Sequence, residues 1–286
     1  MDFNTTAQNV AIKDFIFGEN VEQAVDCEFS LPDYCPDIER IIKCIVKPKI
    51  MSATVNGNLI TVDGVTFVNV LYVDSESGGL RSHEIQISFS KNVDARSNCD
   101  GAMVEANSKT EYMNCRAVSE RRLEIHGAFS VQLKCFKKNG VEVIGEAEGA
   151  GVQLQKCLMD VTEVAGYAKK QILLNEELEL PQSNGAIKNI IKNNAVATYH
   201  DSKIISNKVI VKGNVIVNML YANNDNAYEK FDIEIPVSQI IDVEGVEDNA
   251  NCKVKMDVLS AELKPRTNIS GESRTVSAVI KLDVTV

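Results

Sequence analysis

The chain repeats itself. Glu28 to Glu76 lies without a gap on Glu177 to Asp225, an offset of 149 residues, and fourteen of the 49 aligned positions are identical. Average composition would give roughly three. The identities include Leu31/Leu180, Pro32/Pro181, Ile38/Ile187, Ile41/Ile190, Ile42/Ile191, Asn58/Asn207, Gly64/Gly213, Asn69/Asn218 and Tyr72/Tyr221. A duplication of this kind restricts the chain to two copies of one supersecondary unit, and any function must be built on that doubled scaffold. The 286 residues give each copy enough chain for a core of its own.

The repeated segment reads as strand. Ile60 to Val73 is rich in β-branched residues, and Val209 to Ala222 follows the same pattern. Apolar groups fall on both faces of each segment, which predicts a central strand covered on two sides. Asn56-Gly57 and Asn139-Gly140 each sit between apolar runs and predict two-residue hairpins of the type that needs positive φ at both central residues. Gly64 and Gly213 fall mid-strand, where a bulge or a close backbone approach is the usual reason. Ile38, Ile41 and Ile42, with Ile187, Ile190 and Ile191, keep the i, i+3, i+4 spacing of a buried helical stripe. The expected fold is therefore all-β and mainly antiparallel: two tandem β-sandwich-like repeats, each with at most one short helix. The expected units are residues 1–137 and 160–286, joined by a strand-bearing connector at 138–159.

Composition excludes several function classes. Net charge is −10 with a pI near 5.0, so no nucleic-acid partner is expected, since phosphate binding needs a concentrated basic face. No apolar run approaches the roughly 18 residues of a membrane span. The first residues show neither a basic nor an apolar stretch, so no signal peptide is expected. Trp is absent and aromatics make up 6%, which argues against a platform for stacking sugars or bases.

The phrase L-P-D-Y-C-P-D-I-E-R-I-I-K (Leu31–Lys43) resembles the opening of the SPOCS domain of clostridial sporulation proteins. The V-x-V-x-G-x-x-x-V-x-V-L-Y pattern around Gly64 to Tyr72 resembles the same family. So does Leu263-Lys264-Pro265-Arg266, with Asn114-Cys115-Arg116 as its weaker counterpart. The resemblance covers nearly the whole chain as two tandem domains, without the LysM domain of SipL-type proteins. It implies a structural or assembly role in the spore coat, exosporium or a spore-surface fibre. By that implication the protein is made in the mother-cell cytoplasm and deposited at the spore surface. Its partners would be copies of itself or other coat proteins.

The cysteines are the polar residues that stand out. Cys27, Cys35 and Cys44 face Glu176, Asn184 and Asn193 of the second copy. Polar counterparts predict solvent-facing thiols, hence candidate intermolecular cross-links once the assembly meets an oxidising environment. Spacings of eight and nine residues match no zinc pattern. His83, His126 and His200 fall in no nucleophile or metal motif. Asn69 and Asn218 are expected to be buried amides that satisfy backbone groups. No catalytic residue, metal or cofactor is expected, so the expected role is structural and non-catalytic. The alternative is a binding module for a protein partner or cell-wall glycan. The segment ahead of Leu31 is expected to be available for strand addition to a neighbouring subunit.

Overall fold

The computed structural model describes residues 4–149, 151, 153–158 and 160–286. Six strands form the first half: β1 (Asn4–Ser30), β2 (Ile38–Asn56), β3 (Leu59–Asp74), β4 (Leu80–Asp94), β5 (Met103–Ala117) and β6 (Arg122–Glu148). Six more form the second: β7 (Lys169–Glu179), β8 (Ile187–Ile205), β9 (Lys208–Asn223), β10 (Tyr228–Asp242), β11 (Lys255–Thr267) and β12 (Ser273–Thr285). The sheets run β1-β6-β5 and β2-β3-β4, then β11-β12-β7 and β10-β9-β8, and every pairing is antiparallel. The molecule is thus all-β, two tandem halves of two three-stranded sheets each. Each half holds its own apolar core, with Tyr72, Phe129 and Leu133 deep in the first and Tyr221, Met219 and Leu282 deep in the second.

The central strands bury one face and not both. Along β3, Ile60, Val62, Val68, Val70 and Tyr72 are fully enclosed, while Phe67, Asn69 and Leu71 between them are half-buried. Inner-face burial of this kind drives folding at about 25 cal/mol per Å² of apolar surface.

The isoleucine stripes are strand, not helix; no helix occurs among the described residues. The helical spacing is produced by bulges. In β2 the pairing with β3 skips Glu39, then Ile42, then Met51; in β8 it skips Lys188, then Ile191, then His200. Each pair of skipped residues is separated by the repeat offset of 149. An inserted residue turns i, i+2 alternation into i, i+3, which mimics a helical period over a short window. β-branched side chains favour the extended alternative.

The third bulge explains the mid-strand glycines. Ile50 pairs with Gly64 and Tyr199 with Gly213, each next to the bulge. A β-carbon on Gly64 would collide with the Lys49 carbonyl and the Phe89 ring, and one on Gly213 with the Thr198 carbonyl and the Met256 sulfur. Both positions therefore combine a bulge with a close backbone approach.

The first hairpin exists, one residue later than its dipeptide suggests. Asn56 pairs with Leu59, so Gly57 and Asn58 are the central residues, and Gly57 takes positive φ while Asn58 does not. A Gly at the first central position is the type II′ arrangement. Asn139-Gly140 makes no turn. β6 runs straight through it, with Asn139 opposite Ile12 and Gly140 opposite Ala11. The partner strand β1 supplies the pairing that a hairpin would otherwise have made locally.

β1 and β6 also outrun their sheet. β5 ends its pairing at Met103 opposite Phe136, but β1 and β6 stay paired from Asp14/Lys137 out to Asn4/Glu148. At about 3.4 Å per residue this two-stranded ribbon is roughly 35 Å long. A bulge at Ile16 marks its root, where Phe15 packs against Phe136 and the Lys13 ammonium lies over the Phe136 ring.

Gly64→Val is expected to destabilise the full chain by about 3 kcal/mol through overpacking. Gly145→Ala, where the nearest atoms leave ordinary contact distance, is expected to cost less than about 1 kcal/mol. Urea unfolding of the two variants checks the contrast.

Candidate functional site

The same loop is clamped in both halves. Between β1 and β2, Leu31 and Ile38 are buried and the chain between them is drawn over the end of β3. The Tyr72 hydroxyl donates to the Pro36 carbonyl at 3.3 Å. Arg121 donates to the carbonyls of Cys35 and Pro32 at 3.0 and 2.7 Å and pairs with Asp37. In the second half the Tyr221 hydroxyl lies 3.2 Å from the Gly185 carbonyl, and Arg274 donates to the Pro181 carbonyl at 2.8 Å. Arg121 and Arg274 stand 153 residues apart, not 149, so the gapless alignment hides the match. The register of β6 and β12 reveals it.

Beneath this loop the two copies solve one electrostatic problem in opposite ways. In the first, Asp74 is buried and accepts from the Ser77 backbone N–H at 2.5 Å, the Ser77 hydroxyl at 2.7 Å and Arg81 at 3.0 Å. Burial alone would raise this carboxyl, but those hydrogen bonds outweigh it and hold it below the ordinary carboxylate range. In the second, Asn223 replaces the acid and Glu229 replaces the arginine. Glu229 accepts from Tyr221 at 2.8 Å and from the Asn223 amide at 2.6 Å, which hold it below its ordinary range. Burial pushes the Tyr72 phenol up to about 12 and raises that of Tyr221. Both tyrosines therefore stay neutral donors.

The thiols sit differently from the sequence expectation. Cys35 is buried, and Cys27 and Cys44 are half-buried against the first core; none of the three is solvent-facing. Of their counterparts in the second copy, Glu176 is exposed and Asn184 and Asn193 are half-buried, so a polar counterpart does not mark a solvent-facing position. Cys35 lies 3.8 Å from the His83 Nδ1. Burial raises the thiol and lowers the imidazole. Both shifts favour the neutral pair over the thiolate–imidazolium pair that nucleophilic catalysis uses. His126 is exposed and pairs with Asp26 at 2.9 Å, and His200 is exposed beside Thr198. No group of three or more His, Cys, Asp or Glu side chains is arranged to hold a metal among the described residues.

The central asparagines bond to side chains or to nothing, not to backbone. The Asn218 amide donates to Asp232 at 2.8 Å, and the Asn69 Oδ1 has no partner. Asn69 lies where the two copies meet. There Lys47 donates to Asn194 at 2.6 Å, and the Tyr228 hydroxyl accepts from the Leu80 N–H at 2.9 Å. Elsewhere along the junction Lys255 donates to Asn107 at 2.6 Å and Gln171 to the Met51 carbonyl at 3.3 Å. A cleft of about 1680 Å³ opens beside these contacts, lined by both copies and by residues 161–167. Its wall mixes Lys13, Lys49, Lys169 and Lys255 with Glu105, Asp257 and Asp283. The mixture of signs gives no single ligand class.

Because the Asp74 carboxyl is depressed in the folded protein, its contribution is present above the unfolded carboxylate value near pH 4 and lost as pH falls through the folded value. Asp74→Asn is expected to cost about 2 kcal/mol at pH 7, since it removes charge-assisted hydrogen bonds and leaves Arg81 unpaired. The difference from wild type should narrow at pH 3. Denaturant titrations of both proteins at the two pH values check this.

The SipL, SPOCS domain family matches residues 37–118 and 186–265, together more than half of the chain. The first match runs from the start of β2 to just past the end of β5, and the second from the start of β8 into β11. No curated protein and no solved structure matches the chain. The chain carries this domain twice, in register with its own two sandwiches, and so belongs to the SipL, SPOCS domain family.

Proposed function

We propose that this chain is a structural, non-catalytic sporulation protein that assembles with copies of itself in the spore coat, the exosporium or a spore-surface fibre. Membership of the SPOCS domain family supports the association with sporulation. The observation that carries the assembly reading is the β1–β6 ribbon. Among the described residues no third strand pairs with either of its edges beyond Phe136. It presents Phe15, Val141, Val143 and Ile144 to solvent. A lone two-stranded ribbon is marginal in water and gains from a third strand. Open edges with apolar side chains are what strand addition between chains uses. The segment ahead of Leu31 is therefore not a loose arm: it is already paired to β6, and it offers its outer edge.

At the positions of the outer part of β1 the second copy has no strand among the described residues 153–158 and 160–163. β12 closes against Ala168, whose N–H and carbonyl are both bonded to Val286 at 3.0 and 2.9 Å.

Deleting residues 1–14 removes one strand of the ribbon and leaves the three-stranded sheets intact. The truncated protein is expected to fold with the wild-type far-ultraviolet spectrum and to remain monomeric where the full chain assembles. Electron microscopy and sedimentation velocity compare the two. Normal assembly by the truncated protein would sink the ribbon's role. A full chain that stays monomeric and is retained on peptidoglycan would favour a glycan-binding module instead.

A further inference from the structure

Six of the eight cysteines lie in the first sandwich, and they are not scattered through it. Cys27 on β1 and Cys115 on β5 both pair with Ile125 of β6, so they flank it on the inner face of one sheet. Cys44 comes from β2 in the facing sheet. The outer strands of the two sheets, β2 and β5, run along each other here. The Ser108 hydroxyl donates to the Pro48 carbonyl at 2.8 Å and the Thr110 hydroxyl to the Val46 carbonyl at 3.0 Å. The seam runs on towards Cys44 of β2 and Cys115 of β5, both half-buried in the same apolar cluster. The sulfurs are within hydrogen-bonding reach of each other.

We propose that Cys44 and Cys115 are the site of an intramolecular disulfide that locks the two sheets of the first sandwich together when the protein meets a low-molecular-weight disulfide. The inference goes beyond the assembly reading and does not depend on it. Cys27 is no rival for the same bond. It stands two strands from Cys115, about 10 Å between backbones at about 4.8 Å per strand, and a disulfide needs α-carbons within about 7 Å.

The reaction balances as ordinary exchange. The neighbouring thiols act on each other, Cys115 being lowered and Cys44 raised. Whichever of the two ionises first displaces one half of the small disulfide and becomes a mixed disulfide. The other thiol then attacks that protein sulfur and expels the second half. Two protein thiols are oxidised, one small disulfide is reduced to two small thiols, and the two protein protons pass to those thiols.

The molecule carries its own control. Cys99 and Cys135 also lie within hydrogen-bonding reach, but both are completely buried. Burial comes first among the causes that push the Cys135 thiol up to about 11. The two pairs differ in access: Cys44 and Cys115 are half-buried, Cys99 and Cys135 fully enclosed. Exchange needs a reachable thiolate, so the folded protein should oxidise the first pair and spare the second. The second sandwich has Asn193 and Leu263 at the positions of Cys44 and Cys115 and can form no such bond.

The test treats the full chain with oxidised glutathione under native conditions. Remaining thiols are then alkylated and the peptides mapped by mass spectrometry. A Cys44–Cys115 peptide, with Cys99 and Cys135 alkylated only after denaturation, is the expected result. The melting temperature should rise by roughly 5 °C or more and return with dithiothreitol, because the bond closes a long loop of the unfolded chain. Cys44→Ser should abolish both the linked peptide and the shift. Cys44 and Cys115 recovered unlinked, or Cys115 linked to Cys27, overturns the proposal. Because the peptide map is made on the wild-type chain, the outcome does not hang on the variant's folding.

Discussion

The structure depends on one close approach repeated twice: the backbone of β2 pressed against Gly64 of β3, and that of β8 against Gly213 of β9. Three bulges in each outer strand lead to it. A bulge moves every later side chain to the opposite face, so three of them decide which residues reach the core. The first two let Ile38 and Ile41 turn inward while Ile42 stays exposed. The third brings β2 so near β3 that only a glycine fits. Without that approach the strand alternation fails, and the sandwich loses the face it buries.

The repeat, the strand content and the mid-strand glycines were all legible in the residues, because alternation and a missing β-carbon leave direct marks on a sequence. The isoleucine stripe was misleading for a physical reason: a bulged strand and a short helix share the i, i+3 spacing, and nothing local separates them. Asn139-Gly140 misled because turn propensity acts only where no longer-range partner claims the backbone, and β1 claims it. Cys27, Cys35 and Cys44 were placed outside because their counterparts are polar. Counterpart chemistry, however, reports what each copy tolerates, not where a side chain points. Arg121 and Arg274, which hold the loops, are hidden from the gapless alignment because the copies differ in length between β5 and β6, and no motif marks an arginine as a loop clamp.

The clamps beneath Tyr72 and Tyr221 show what duplication permits. Both copies need the loop held over the end of the central strand, and both use a neutral tyrosine and a distant arginine to hold it. The charge below is free to exchange sides: Asp74 with Arg81 in one, Asn223 with Glu229 in the other. What persists is that the polar groups beneath the loop are paired, since an unpaired buried polar group costs about 1–3 kcal/mol. A site that performed chemistry on a ligand would constrain which atom carries the charge. These loops constrain only that none is left unpaired.

The halves then diverge where they meet the outside. The first extends β1 and β6 into a ribbon and places Cys44 and Cys115 on the β2 and β5 strands of its seam, with Cys27 on β1 across β6. The second places Glu176, Asn193 and Leu263 at the positions of Cys27, Cys44 and Cys115. A ribbon that takes up a load from a neighbouring strand transmits it into the sheet β1-β6-β5, and from there across the seam with β2. In the reduced protein that seam has two side-chain hydrogen bonds to carry it, each worth about 1 kcal/mol net. The paired thiols lie further along this path, in the half that carries the ribbon, and the second half has Asn193 and Leu263 in their places.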